Sequence, residues 1–371
     1  MPMRGYIFLL GSLLLLTVVE RSAFSGNLPW ITVSQDQSGF VYTPGGEPFR
    51  PVGFNYDRDD AGRLLEDYWT DEWDVVKEHF SQMKEMGANV VRIHLQLARF
   101  MQTQETSDQS SLDRLKKLLE LAETEQIYLN LTGLGCYHKQ DVPEWYDALD
   151  ESGRWETQAR FWQAIAQVCA QSPAVFCYNL MNEPIVPGGK RKAEDWLGPA
   201  LAGKHYVQRI SLDLAGRKRP DVAREWIITL KNAIRKEDKR HLVTVGLVDW
   251  SLDRPGLSSG FIPSEVVGEL DFISVHLYPE SGKLHEAIET LTQFSVGKPV
   301  VIEETFPLKC SLEEFAEFID RSQAHTSGWF GFYWGVPIEK LQSSRELKDQ
   351  LIGGWLSFFK TKLSPLATTP P

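Results

Sequence analysis

Short apolar runs alternate with amphipathic segments along most of the chain. The apolar runs are rich in Val, Ile and Leu and are bounded by turn signals, which is the pattern of strands buried on both faces. The segments between them have helical periodicity and end at Gly or Pro, as at Gly87 and Pro173. Eight strands are predicted, at residues 51–55, 89–95, 127–131, 174–180, 241–247, 272–276, 299–304 and 329–334.

Eight strand–helix units over roughly 310 residues predict an α/β fold, specifically a (β/α)8 TIM barrel. Residues 30–49 predict a β-hairpin before the first barrel strand, and residues 186–220 predict an insertion after the fourth. A doubly wound open sheet is the alternative, but the chain contains no G-x-G-x-x-G or Walker motif to favour it.

The first 25 residues have the pattern of a secretory signal peptide. Arg4 precedes an apolar run over 6–19, and small residues follow where a signal peptidase would cut. The run of about 14 residues is shorter than the roughly 20 of a spanning helix, which favours cleavage over a retained anchor. We expect a secreted or periplasmic protein with one domain over 26–361, a loose tail over 362–371 and no membrane insertion after cleavage.

Composition excludes some classes of function. The chain has 50 acidic and 39 basic residues, a formal net charge of −11, which disfavours nucleic acid as a partner. None of the four cysteines (Cys136, Cys169, Cys177 and Cys310) forms a C-x-x-C pair, so a zinc ribbon is not expected. We interpret them as free thiols, since Cys169 and Cys177 lie in apolar runs. No cofactor is expected, and the sequence does not predict an oligomeric state.

Two of the predicted strands end in acidic residues. The fourth strand leads into Asn182-Glu183-Pro184, and the seventh ends in Glu303-Glu304. The carboxyl ends of barrel strands meet at the catalytic face, so these side chains are predicted to face each other across the barrel mouth. Two opposed carboxylates are the equipment of glycoside hydrolysis, in which one protonates the leaving oxygen and the other attacks the anomeric carbon or activates water.

With these motifs in place, the sequence resembles glycoside hydrolase family 5, a family of retaining barrel enzymes, over roughly 30–360. The resemblance implies that Glu183 is the general acid/base and Glu304 the nucleophile. Strand alternation also allows only one of the neighbours Glu303 and Glu304 to point inward. The resemblance implies hydrolysis of a β-linked polysaccharide or oligosaccharide, of glucan or mannan type, by double displacement.

The same resemblance assigns further residues to the substrate site. Arg92 would hydrogen-bond the nucleophile, Asn182 would bind the 2-hydroxyl of the sugar, and Tyr278 would donate to the nucleophile. His276 would line the sugar subsite, and Trp334 would form an aromatic platform beneath the same sugar.

The chain also departs from the family pattern. The family commonly has a His near the end of the third strand, where this chain has none until His138. We expect His138 to substitute from the loop or the subsite to be built differently, and His94 is a candidate to fill part of that role. The family's aromatic-Gly after the nucleophile is replaced by Thr305-Phe306-Pro307. These departures bear on sugar specificity more than on mechanism.

Other functional classes remain as alternatives. Residues 256–260 (GLSSG) match a serine-nucleophile elbow, but a turn-like segment precedes them instead of the required strand. A metal-dependent hydrolase needs a His-x-His pair near the first strand, where the only candidate ligands of residues 56–59 are the acids Asp57 and Asp59, so no metal is predicted. A catalytically inactive carbohydrate-binding barrel is the main alternative, but such a protein would lack one of the two carboxylates.

Overall fold

The computed structural model describes residues 28–252, 254, 257–332, 334–336, 340–341 and 343–368. The predicted signal segment, residues 1–25, lies outside these ranges. Within them, no helix has both the length and the apolar character needed to cross a bilayer.

Eight parallel strands form a closed barrel whose order around the barrel follows the chain. Every residue of these eight strands is buried, because side chains point either into the barrel or under the surrounding helices. The predicted (β/α)8 barrel is therefore confirmed, and each strand lies where its apolar run predicts. The barrel strands, numbered first to eighth in chain order, are Val52–Tyr56, Val90–Gln96, Tyr128–Gly135, Val175–Asn182, Leu242–Val248, Ile273–His276, Val300–Thr305 and Gly328–Gly331.

Helices pack around the barrel, and several begin at a capping side chain. Asp108 accepts the amide N–H of Ser111 at 2.7 Å, and Asp150 accepts that of Gly153 at 2.8 Å. These contacts satisfy amides that would otherwise lack a partner at a helix start. The α-helices are Leu65–Tyr68, Trp73–Glu85, Leu97–Phe100, Gln109–Glu125, Glu144–Asp147, Glu151–Cys169, Arg219–Glu237, Pro263–Val266, Leu284–Gln293, Leu312–Ser322 and Leu347–Phe358.

The segment before the barrel seals its amino-terminal end. Its strands Trp30–Val33 and Phe40–Thr43 pair antiparallel as the predicted hairpin, and Pro48–Phe49 adds a third strand. Aromatic side chains of this sheet meet aromatic side chains at the starts of barrel strands, with ring centroids 5.1–5.8 Å apart. We call this group the floor; it consists of Phe40, Phe49, Tyr128, Phe176 and Phe272.

The predicted insertion after the fourth strand is a folded segment. Pro184–Ile185 pairs in parallel with Gln208–Arg209, and a 3-10 turn forms at Ala193–Trp196. Trp196 is fully buried, and its indole donates to Asp147 at 2.6 Å. The insertion is therefore anchored to the outer helices at one end, while its other end reaches the barrel mouth.

The carboxyl-terminal segment differs from the predicted loose tail. Residues Phe359–Leu363 continue the last helix in π form, and Ser364–Thr368 form a 3-10 helix. Leu363 is fully buried, and the ring centroids of Phe359 and Phe54 of the first strand lie 3.8 Å apart. The apolar side chains at 359 and 363 therefore hold this segment against the barrel up to residue 368.

The four cysteines are unpaired in the structure. Cys136, Cys169 and Cys177 are buried, and Cys310 is half-buried. Burial raises the pKa of Cys136 to about 12 and that of Cys310 to about 11, so both remain neutral thiols near neutral pH.

Candidate active site

Glu183 and Glu304 meet at the carboxyl end of the barrel, as the sequence predicts. Glu183 directly follows the fourth strand, and Glu304 lies near the end of the seventh. A carboxylate oxygen of each and a ring nitrogen of His276 all lie within 4.8 Å of one another. Their side chains are 19% and 9% exposed, so both acids are reachable from a largely enclosed site. The backbone of Glu183 is left-handed, with φ of +47°.

Donors contact both carboxylate oxygens of Glu304. Arg92 Nη1 lies 2.5 Å from Oε1, and the Tyr278 hydroxyl donates to Oε2 at 2.7 Å. Burial, followed by the negative charge of Glu304, raises the pKa of Tyr278 well above its usual value, so the hydroxyl remains a donor. Arg92 and Tyr278 therefore fix the orientation of the Glu304 carboxyl group.

Three further hydrogen bonds hold Arg92 in place from neighbouring strands. Its guanidinium donates to Thr132 Oγ1, Asn55 Oδ1 and Asn182 Oδ1, each at 2.8 Å. The amide of Asn182 also donates to the backbone carbonyl of Tyr206 in the insertion, at 3.1 Å. One N–H of that amide remains for a substrate hydroxyl.

His276 connects the two catalytic candidates. Its Nδ1 lies 2.9 Å from Glu183 Oε1 and 3.5 Å from Glu304 Oε2. Its Nε2 lies 3.6 Å from Glu303 Oε2. Burial alone lowers the pKa of His276, but the charge of Glu304, the hydrogen bond to Glu183 and the contact with Glu303 outweigh it and raise the pKa to about 9. His276 is therefore a cation at neutral pH.

Glu303 is a second buried carboxylate, close to Arg92 and His276. It is fully buried and accepts hydrogen bonds from the side-chain amides of Asn130 and Asn179. Its Oε2 also lies 3.6 Å from Arg92 Nε. Burial acts to raise the pKa of Glu303, but the charge of Arg92 and contacts with His276 and Asn130 hold it below its usual value.

The position of Glu303 corrects the strand-alternation argument. Glu303 and Glu304 both contact Arg92, so both reach the barrel interior, although strict alternation allows only one to do so. Pairing of the seventh strand shifts register on both sides, between Val275 and His276 and between Ile302 and Thr305. Such an irregularity redirects side chains locally, and the sequence pattern does not reveal it.

Acidic and basic side chains are paired in this site. Arg92 and His276 are cations, while Glu303 and Glu304 are anions, so these four residues are neutral together. Two basic side chains therefore face two acidic ones, and Glu183, whose Oε1 lies 2.9 Å from His276 Nδ1, is the remaining acid of the group.

The two candidate histidines near the third strand have different positions. His94 is buried, and its Nδ1 bonds the hydroxyl of Tyr137. Burial, then the charges of Arg92 and His276, lower the pKa of His94 well below its usual value, so its ring is neutral. His138 instead lines a small pocket with Arg99 on the other side of Tyr137, and the structure does not bring it to the carboxylates.

The position of Trp334 differs from that of the predicted sugar platform. The eighth strand ends at Gly331, and Trp334 lies three residues beyond it. Its ring packs against Phe54 and His79, at centroid distances of 5.4 and 6.2 Å, and the residue is 1% exposed. A ring that stacks on a sugar needs an open face, which this packing does not provide.

Sequence reasoning missed several residues of the site. Asn130 and Asn179 lie within apolar runs, where they have no distinguishing pattern, and Asn55 ends the first run. Tyr137 follows a left-handed turn at Leu134, and Tyr206 comes from the insertion. The signal that identifies them is spatial, because each contacts Arg92, Asn182, His94 or Glu303 in the folded chain.

One cluster in the described part of the chain has the donor spacing of a cation site. It is formed by Glu183, His276 and Glu304. The ring of His276 already bonds Glu183, and its raised pKa, about 9, keeps it protonated at neutral pH. A protonated ring nitrogen is not a metal ligand, so the cluster fits acid–base chemistry better than metal binding.

Comparisons with known proteins agree with this geometry. A family model described as cellulase (glycosyl hydrolase family 5) matches residues 45–336. No protein of curated function matches the sequence significantly.

Solved structures share the fold at low sequence identity. The β-mannanase of the blue mussel Mytilus edulis has a TM-score of 0.59 at 17% identity, covering 91% of this chain and 98% of that one. The endo-1,4-β-mannanase of Rhizomucor miehei has a TM-score of 0.61 at 19% identity, covering 92% and 100%. An exo-β-1,4-mannosidase of Opitutaceae bacterium strain TAV5 has a TM-score of 0.64 at 16% identity, covering 90% and 63%.

Proposed function

The chain belongs to glycosyl hydrolase family 5, and from this premise we propose that it is a retaining glycosidase acting on a β-linked mannan or glucan. The observation that carries the proposal is the pair of carboxylate oxygens, of Glu183 and Glu304, within 4.8 Å. Retaining enzymes hold their two carboxyl groups about 5–5.5 Å apart, whereas inverting enzymes need roughly 6.5–9.5 Å to admit a water.

In the first step Glu304 attacks the anomeric carbon while Glu183 gives its proton to the glycosidic oxygen. The carbon–oxygen bond of the substrate breaks, the alcohol leaves with that proton, and an ester forms between the sugar and Glu304. The negative charge moves from Glu304 to Glu183. The site keeps two anions against two cations, so the buried charge count does not change during the step.

In the second step Glu183 removes a proton from water, and the hydroxyl attacks the same carbon. The ester bond breaks and Glu304 regains its charge, which Arg92 and Tyr278 stabilise. Glu183 regains its proton. Two displacements at one carbon leave its configuration unchanged.

Of the two substrate classes, the comparisons favour mannan. The structural neighbours are described as β-mannanases or a β-1,4-mannosidase, although their identities of 16–19% relate them to this chain through the fold alone. β-1,4-Mannan oligosaccharides are therefore the first substrates to test, with β-1,4-glucan oligosaccharides beside them.

The test combines turnover with stereochemistry. The wild-type protein is incubated with each oligosaccharide, and the anomer of the first product is followed by NMR before it mutarotates. We expect the β anomer, and release of the α anomer would contradict double displacement. With the Glu183→Ala variant, added azide should form a β-glycosyl azide, because the anion attacks the glycosyl ester without needing a base.

One outcome of this test would identify a binding protein. If wild type and Glu304→Gln bind mannan oligosaccharides equally and neither hydrolyses any β-glycan, the protein is a carbohydrate-binding barrel instead.

We also propose export, from the signal pattern of residues 1–25. Sequencing the amino terminus of the protein recovered from outside the cytoplasm tests it, and a mature chain that still begins at Met1 would contradict cleavage.

A further inference from the structure

Side chains from five loops, which follow the first, third, fourth, sixth and eighth strands, form a connected rim at the barrel mouth. We define the rim as Tyr137, Tyr206, Arg58, Phe332 and Tyr278. The rings of Tyr137 and Tyr206 meet at a centroid distance of 4.9 Å, and Arg58 Nη1 lies 3.5 Å from the Tyr206 hydroxyl. The Arg58 guanidinium lies over Phe332 at 5.3 Å, and the Phe332 and Tyr278 ring centroids are 6.5 Å apart.

The insertion after the fourth strand supplies Tyr206, which connects Tyr137 to Arg58 in the rim. Beside Tyr206, the amide of His205 donates to the carbonyl of Tyr137 at 2.8 Å. Gln208 donates to the carbonyl of Leu134 at 2.6 Å. These contacts hold the insertion on the end of the third strand, so the position of Tyr206 is set by the fold.

The loop after the first strand meets the insertion from the other side. Asp57 is buried and pairs with Arg58 at 2.9 Å, which fixes the guanidinium beneath Tyr206. Lys204 of the insertion is also buried. Its Nζ lies beside Gly62 of the first-strand loop, 3.5 Å from the place that a β-carbon on this glycine would occupy. The first-strand loop and the fourth-strand insertion therefore close together over the ends of the second and third strands.

The rim lies on the side of the site where Arg92 and Asn182 are. Asn182 contacts Tyr206 directly, and Arg92 contacts both Asn182 and Glu304. In the proposed mechanism, the sugar that becomes esterified to Glu304 lies against these residues. The leaving group is expected beside Glu183, whose backbone amide donates to the carbonyl of Gly246 in the fifth strand.

We infer that the rim closes the site beyond the esterified sugar, so that the enzyme takes the non-reducing end of a β-linked chain and releases one terminal sugar at a time. The inference rests on the proposed glycosidase function. A polysaccharide bound along its middle needs an opening on both sides of the cleaved bond, and the rim occupies one of them. A terminal sugar needs only the opening on the leaving-group side.

The test uses β-1,4-mannopentaose labelled at its reducing end, with the glucan analogue in parallel. Exo action releases unlabelled monosaccharide first and leaves a labelled tetrasaccharide. Early release of labelled di- or trisaccharide would overturn the inference while leaving the hydrolase function intact. If neither substrate is cleaved, the proposed function fails, and this outcome differs from endo cleavage.

Variants of the rim connect the product pattern to the geometry. Tyr206→Ala together with Arg58→Ala opens the rim, and we expect the ratio of terminal to internal cleavage to fall by about tenfold, which corresponds to about 1.4 kcal/mol. Tyr206→Phe keeps the ring against Tyr137 and should retain the wild-type pattern. Lys190→Ala, at an exposed position of the same insertion, is the matched control. An unchanged ratio in the double variant, with its melting temperature retained, would also overturn the inference.

Discussion

The two ends of the barrel are closed by opposite chemistry. At the amino-terminal end, the floor fills the space with aromatic rings in edge and tilted contacts. At the other end, the space is filled by the charged group Arg92, Glu183, His276, Glu303 and Glu304, which we call the catalytic face. Both groups are largely buried, but the floor consists of aromatic rings, whereas the catalytic face consists of ionisable side chains.

The difference shows how one barrel separates stability from chemistry. Removing apolar area from the floor weakens folding directly, and no charged partner at the active end depends on it. Removing one charge from the catalytic face changes the protonation of the others, because the group is balanced as a whole. The first end is expected to respond to substitution in stability, and the second in rate and pH dependence.

The largest effect is expected from Glu304→Gln. The amide keeps the shape of the carboxylate but cannot form the glycosyl ester, so kcat should fall by roughly 10⁴-fold. The melting temperature should change little. Hydrolysis of the oligosaccharides and thermal unfolding are measured on the same preparation. Turnover close to that of wild type would contradict the assignment of the nucleophile.

Phe40→Ala, at the amino-terminal end of the barrel, is expected to lower stability without lowering the rate. Loss of a buried ring from the floor should lower the free energy of unfolding by about 3–5 kcal/mol, through lost contacts and the cavity left behind. At temperatures where the variant is folded, kcat/KM should equal that of wild type. Denaturant unfolding measures the stability.

The matched control for the floor is Val41→Ala, since Val41 is next to Phe40 but only half-buried. It should destabilise the protein much less. If Phe40→Ala reduced kcat without a loss of stability, the separation between the two ends would be wrong.

Glu303→Gln should produce a smaller loss of rate, with a change in pH dependence. Without this anion, His276 loses one of the contacts that raise its pKa, so its ring is expected to lose its proton at lower pH. We expect kcat/KM at neutral pH to fall by about 10²-fold, which corresponds to about 2.7 kcal/mol. The alkaline side of the pH profile should move to lower pH.

That pH shift distinguishes an electrostatic role of Glu303 from a structural one. A purely structural role would reduce kcat/KM by the same factor at every pH. Glu313→Gln, which removes an exposed acid, serves as the control and should leave the profile unchanged.

The smallest effect is expected in the dependence of stability on pH. His276 has a pKa of about 9 in the folded protein, above the ordinary value of 6.5. Its contribution is therefore fully present below pH 6.5 and is lost as the pH rises through 9. We expect the free energy of unfolding to fall progressively over this window.

Unfolding of wild type and His276→Asn at several pH values measures this contribution. The variant should lose less stability between pH 6.5 and 9, while Phe40→Ala should keep the wild-type dependence. Equal pH dependence in wild type and His276→Asn would contradict a raised pKa at this residue.

The fold could be predicted from the sequence because its main signal is local. Each barrel strand is a short apolar run between turn signals, and burial on both faces requires such a run. The two acidic strand ends could be recognised for the same reason, since position in the strand order places them at one face.

The remainder of the site depends on contacts that local patterns do not encode. Glu303 reaches the interior because strand register shifts around it, and its partners Asn130 and Asn179 lie within apolar runs. Tyr206 meets Asn182 only because an insertion folds back over the third strand. Trp334 was assigned by position in the family pattern, but the shorter eighth strand places it in the core.

The left-handed backbone of Glu183 has a consequence for engineering. A side chain beyond glycine in this conformation costs about 1–2 kcal/mol, and Asn tolerates it better than Glu does. A library screened for heat resistance alone is therefore expected to enrich Gly or Asn at residue 183, and its most durable members will be inert. Selection for thermal stability and selection for turnover therefore favour different residues at position 183.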